Sequence, residues 1–178
     1  MVAKSELQKP VLTVGVSEFV SFGSRAVNVP AKIDTGADSS SVWASNIRIG
    51  KDGVLRFSLF GEGSPFYSGK IYKRTDYKVA VVRSATGEEQ IRYKTYFTIC
   101  LKDRKIKVLF NLSDRSRNSF PILIGSRTLR NKFVVDVSKK SVPFPKKVRT
   151  AKLLTELRKD SYQFHQKYVK NKNTERGK

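Results

Sequence analysis

An apolar strand that ends on an acid and runs directly into Thr35-Gly36-Ala37-Asp38-Ser39-Ser40-Ser41 constrains this chain more than any other segment. Residues 27–33 supply the strand, and Asp34 sits where it exits into a turn. A carboxylate delivered this way stands at the floor of a cleft. Gly36, without a Cβ, suits a sharp turn beneath it. Thr35 adds a hydroxyl able to hold the loop, and Ala37 keeps the approach small.

A second segment, Pro121-Ile122-Leu123-Ile124-Gly125, is a short apolar run closed by glycine, and Ser126-Arg127-Thr128-Leu129-Arg130 after it reads as one or two helical turns. The rest of the first three quarters reads as short strands. Residues 11–22 form one or two, residues 54–60 alternate apolar and polar, and residues 105–112 and 133–137 add further strands. Residues 77–83 and 90–101 pair as a hairpin across Ser84-Ala85-Thr86-Gly87-Glu88-Glu89, with glycine at its tip. Many short strands with one short helix indicate an all-β, barrel-like domain.

A length of 178 residues suits one cored domain plus an appendage, and 39% hydrophobic content with 11% aromatic argues for a globular body. No stretch approaches the roughly 20 apolar residues of a membrane span, and residues 1–10 lack the apolar core of a signal peptide, so a cytoplasmic location without membrane contact is expected. The lone Cys100 agrees, since no intramolecular disulfide can form. Lying between Ile99 and Leu101, it is expected to fill the core. The character changes after Pro143 and Pro145. Residues 151–169 place Leu153, Leu154, Leu157, Phe164 and Tyr168 near helical spacing, with Thr150 as a possible N-cap. Residues 1–142 are therefore expected as the β domain, and 143–178 as a basic helical or partly disordered tail. The net charge is +21, and from Lys139 onward thirteen Lys or Arg face three Asp or Glu. Such a surface attracts a polyanion: RNA, a ribosome or an acidic peptide.

The motifs agree in order. Asp34 to Ser41, Val82-Arg83-Ser84, Gly87, Arg92, Leu112-Ser113-Asp114-Arg115, Phe120 to Gly125 and Phe133-Val134-Val135-Asp136 resemble the retropepsin-like aspartic peptidases of bacteria and archaea. That family is often labelled ATP-dependent zinc protease. The resemblance spans roughly residues 11–142 and implies a closed acid-protease half-barrel, with Asp34, Thr35 and Gly36 catalytic. It further implies that Ala37, Asp38, Arg83, Gly87, Ile124 and Gly125 serve the substrate, with the Gly87 hairpin as a flap. It also implies association with ATP-grasp ligases that add glutamate to proteins. The zinc in the label has no ligand set here, because the chain holds one His, His165, and one Cys. Gly61-Glu62-Gly63-Ser64-Pro65 lacks the following helix and phosphate-binding Lys of a nucleotide loop and reads as a turn. No metal or cofactor is expected.

An aspartic peptidase needs two carboxylates sharing one proton, one to activate water and one to polarise the scissile carbonyl. Only Asp34 stands in the required context. Asp136 has no glycine after it and reads as structural. The resemblance therefore implies a symmetric homodimer in which Asp34 and Thr35 of each subunit meet at the axis. It also implies that Asp38 pairs with an arginine, with Arg127 and Arg115 both candidates. A cleft lined by Arg83, Arg92 or Arg115 would favour acidic or glutamylated peptides. The alternative is a catalytically weak module of the same fold that binds RNA, a ribosome or a partner through its basic surface.

Overall fold

A computed structural model of the chain describes residues 10–24, 26–83, 89–144 and 148–170. Its elements are β1 (Leu12–Val14), β2 (Ser17–Phe22), β3 (Ala26–Asp34), β4 (Ser40–Ile49), β5 (Leu55–Leu59), β6 (Ile71–Arg74), β7 (Lys78–Arg83) and β8 (Glu89–Leu101). There follow β9 (Arg104–Ser113), β10 (Ile122–Gly125), the single turn α1 (Ser126–Leu129) and β11 (Phe133–Val135). Contacts divide the chain into two compact units, one through Pro143 and one from Phe144 on.

The first unit is all-β and closed. Pairing runs β10-β3-β2-β8-β9-β4, and β10 also pairs with β4, so these six strands return on themselves. Closure removes the open edges of a flat sheet. β5 and β6 continue from the second half of β4, and β7 pairs with the outer part of β8. β1 and β11 form a separate parallel pair.

The reason is the period-2 pattern of each strand. On β8 and β9, Phe97, Ile99, Leu101, Ile106, Val108 and Phe110 all turn inward and are buried. They meet Phe22, whose ring lies 5.5 Å from Phe97 and 5.7 Å from Phe110. The Phe22–Phe97 pair is edge-to-face and the Phe22–Phe110 pair tilted, and aromatic pairs of this kind contribute about 0.5–1.5 kcal/mol each beyond burial.

The same alternation corrects one expectation. Cys100 follows the inward Ile99 and so faces outward, half-buried, with its thiol donating to Lys102 O at 3.0 Å. It does not fill the core. The structure also adds β4 and β6, which the sequence reading left without strands; β4 begins on Ser40 and Ser41, which are polar yet buried. Residues 61–64 form a turn, closed by Ser64 N donating to Gly61 O, with Gly63 at φ +85°. The Gly87 tip lies outside the described residues.

In the second unit the expected single helix is broken. α2 (Val148–Lys159) starts before Thr150, which is therefore not its N-cap, and it stops at Asp160. Asp160 has an extended backbone, and its carboxylate caps α3 (Ser161–His165) by accepting from Gln163 N at 2.9 Å. A π turn, Gln166–Lys170, follows. His165 is exposed. Residues 171–178 lie outside the described residues.

Candidate active site

Two parallel strands deliver the acid. β3 and β10 pair in register through Ile124 opposite Ile33 and Gly125 opposite Asp34. The loop after Asp34 then folds back onto the end of β10. Ala37 N donates to Asp34 O at 3.3 Å, Ser126 N to Ala37 O at 2.7 Å and Arg127 N to Asp38 O at 3.2 Å. Below, the Ser40 hydroxyl accepts from Gly125 N at 3.0 Å and bonds the Thr128 hydroxyl at 2.8 Å. Asn111 Nδ2 donates to Ser40 O at 3.3 Å. The loop is thus tied through Ala37, Asp38 and Ser40 to the turn that ends β10.

This packing requires a glycine, though not the one expected. A Cβ on Gly125 would lie 2.6 Å from Ser39 C and 2.7 Å from Ala37 O, both backbone atoms. A Cβ on Gly36 would meet only Asp34 Oδ1 at 3.7 Å, an ordinary contact, and Gly36 is not left-handed. Within one subunit the steric demand therefore falls on Gly125, and the space over Gly36 beside the carboxylate is open.

Asp34 has a neighbour the sequence reading missed. Lys32 lies two residues earlier, on the same face of β3, and its Nζ is 3.3 Å from Asp34 Oδ2. A lysine two positions before an acid in a strand is a local signal that could have revealed this pair. Arg115 is the second cation that acts on Asp34. Its Nε donates to Phe120 O at 3.1 Å and its Nη1 to Ser41 Oγ at 3.0 Å. Burial, and then repulsion from Arg92, hold the Arg115 guanidinium below its usual value, while attraction to Asp34 pulls it up. It remains charged at any physiological pH. Two cations therefore act on this carboxylate, Lys32 through an ion pair and Arg115 through longer-range attraction.

The two arginine candidates for Asp38 separate. Arg127 Nη2 lies 3.3 Å from Asp38 Oδ2, both side chains largely exposed, whereas Arg115 holds Ser41 and Phe120. An exposed pair of that kind adds little stability; it orients the loop. Thr35 and Gly36 are exposed at the turn, and Ala37 is half-buried. Ile124 is fully buried, so it supports β3 from within the core and its side chain cannot meet a substrate. Arg83 ends β7 opposite Glu89, with its side chain outside the description. Asp136 is structural: Ser138, through its hydroxyl first, and Lys139 hold its carboxyl at about 2. Among the described residues no three His, Cys, Asp or Glu gather to form a metal site. No helix among them is long and apolar enough to cross a membrane.

A family model described as RimB-like, retropepsin-like aspartic endopeptidase RimB, matches residues 13–146. Proteins named probable alpha-L-glutamate ligase from Shewanella pealeana and Shewanella halifaxensis are each 30% identical over 129 residues, 70% of this chain. The match spans 28% of the length of those relatives. A solved structure of a Legionella pneumophila protein of unknown function superposes with a TM-score of 0.52 at 25% identity, over 74% of this chain and 97% of that one.

Proposed function

The chain belongs to the RimB-like family of retropepsin-like aspartic endopeptidases, and from that membership we propose that it hydrolyses peptide bonds with Asp34 as its catalytic carboxylate. The observation that carries this reading is the register of Asp34 against Gly125, with the following loop pinned to residues 125–128. That arrangement holds the carboxylate on a rigid strand end and leaves its approach open, as general base catalysis on water requires.

The second carboxylate comes from a second copy. Asp34's nearest charged partner in its own subunit is Lys32, so the acid that polarises the carbonyl is Asp34 of a symmetry mate, with the open space over Gly36 facing it. In a dyad sharing one proton, the ionised member draws a proton from water while the protonated member donates to the carbonyl oxygen. Lys32 and Arg115 beside the acid, with Arg92 near enough to Arg115 to repel it, favour acidic side chains. The relatives named as glutamate ligases support glutamylated peptides as the substrate class. Ligase activity itself is not proposed, since the match spans only 28% of those proteins.

The test is Asp34→Asn, which keeps shape but cannot share the proton. The variant should retain its melting temperature and lose all turnover of a glutamate-rich peptide. Turnover per wild-type subunit should fall on dilution into the monomer range seen by sedimentation. Cleavage by purified Asp34→Asn would sink the aspartic mechanism, and constant specific activity in monomer would sink the shared dyad.

A further inference from the structure

The lane beside β9 is only half filled. β8 pairs with β9 along residues 104–111 on one side. On the other side β4 pairs only from Phe110 to Ser113. Among the described residues, no strand lies beside residues 104–109 on that side. A cleft of about 210 Å³ occupies this lane, reaching Ser39 and Ser40, where β4 takes over. Ile106 and Val108 line it although their side chains point into the core, so what they present there is main chain. An open strand edge is a template for another strand.

The cleft is also cationic. Lys94, Lys107, Arg127 and Lys132 line it, and no carboxylate does. Asp38 reaches Arg127 with an exposed side chain. No carboxylate among the described residues pairs with Lys94 or Lys107. Lysines beside an open edge keep a second copy of a chain carrying +21 from adding itself there. The same charges attract a strand that carries carboxylates.

We propose that the open edge of β9 at residues 104–109 is a docking site, separate from Asp34, for an extended acidic peptide that adds as a strand and places its carboxylates against Lys94, Lys107 and Lys132. Main-chain pairing supplies affinity and the lysines supply selection by charge. The lane ends at Ser39 and Ser40, on the loop that follows Asp34, so an acidic tail held there stays tethered near the catalytic loop and raises its local concentration. The choice of an acidic ligand rests on the proposed function; the site itself rests on the edge and its charges.

Binding is measured on the full chain carrying Asp34→Asn, so that cleavage does not intervene, using a fluorescent oligo-glutamate peptide and anisotropy. A second probe has the same charges but N-methyl groups at alternate peptide bonds, which blocks strand pairing. Lys94→Glu with Lys107→Glu should weaken the first probe about tenfold or more. N-methylation should weaken binding to the unreversed chain as strongly, and the unmodified probe should slow amide exchange within residues 104–109. If N-methylation leaves affinity unchanged, no strand is added and the proposal fails, whether or not the charge-reversed chain folds. Equal binding of oligo-uridine would make the cleft a general polyanion groove and overturn the peptide assignment. Loss of the slowed exchange in favour of self-association would assign the edge to a second copy instead. Failure here leaves the Asp34 chemistry untouched, because that is read from turnover alone.

Discussion

Gly125→Ala isolates the contact on which the candidate site depends. The new Cβ would fall 2.6 Å from Ser39 C and 2.7 Å from Ala37 O. These are backbone atoms of the very loop that carries Asp34, so no rotamer change relieves the clash. Reaching ordinary contact requires the loop to retreat by roughly 0.7 Å or more, far enough to weaken its hydrogen bonds to β10. Those at risk are Gly125 N to Ser40 Oγ, Ser126 N to Ala37 O and Arg127 N to Asp38 O. At about 1 kcal/mol each, with overpacking of about 1–3 kcal/mol, the gross cost is about 4–6 kcal/mol. Reduced freedom of the unfolded chain offsets about 0.4–1 kcal/mol, for a net loss of about 3–5.5 kcal/mol. Urea unfolding, followed by the fluorescence of Trp43, the sole tryptophan, reads this directly. Trp43 lies on β4, where its N donates to Pro121 O, so it reports on the same layer. With a slope of about 2 kcal/mol per molar, the midpoint should fall by roughly 1.5–3 M. Gly36→Ala is the control: its Cβ meets only Asp34 Oδ1 at 3.7 Å, so its stability should stay within about 1 kcal/mol of wild type. In the dimer reading it still loses turnover, because the open space is where the symmetry mate approaches. A Gly125→Ala midpoint equal to wild type, or a Gly36→Ala loss as large as that of Gly125→Ala, would refute the steric argument.

Two further outcomes are expected. Glu18 is almost fully buried, and burial alone would raise its carboxyl, but Lys102 at 2.8 Å, Ser141 at 2.6 Å and Gly15 N at 2.7 Å together hold it below its usual value. A depressed folded value contributes stability above the unfolded value of about 4.3 and loses it as pH falls through the folded one. Glu18→Gln should therefore cost about 1–3 kcal/mol at neutral pH and flatten the acid limb of a melting-temperature profile below about pH 4.5; an unchanged limb would remove Glu18 from that role. Ending the chain at Pro143 tests the basic second unit. If it neutralises about five phosphates, the salt slope of RNA binding should shrink by roughly 3.5 to 4.5. An unchanged slope with a lowered melting temperature would make it a brace for the body.

Much of the fold was legible because its signals are local. Strand alternation, the hairpin either side of residues 84–89, the apolar run into Asp34 and the Ile122–Gly125 strand with its turn all lie within windows of a few residues. A period of two decides which side chains turn inward wherever the strand begins. Where that rule was not applied residue by residue, the reading went wrong: Ile99 inward means Cys100 outward. Ser40 and Ser41 looked like loop because their burial depends on Thr128, Gly125 and Arg115, more than seventy positions away.

The sequence by itself determined that an acid stands at the end of an apolar strand, that a second strand closed by glycine follows, and that the chain is strongly basic. Only the tertiary structure decided which glycine is sterically required, which arginine meets Asp38, and that half of one strand edge lies open among lysines. Composition and period are properties of the chain, whereas clashes, ion pairs and empty lanes arise between segments far apart in it. They exist only once the β3–β10 register brings those segments together.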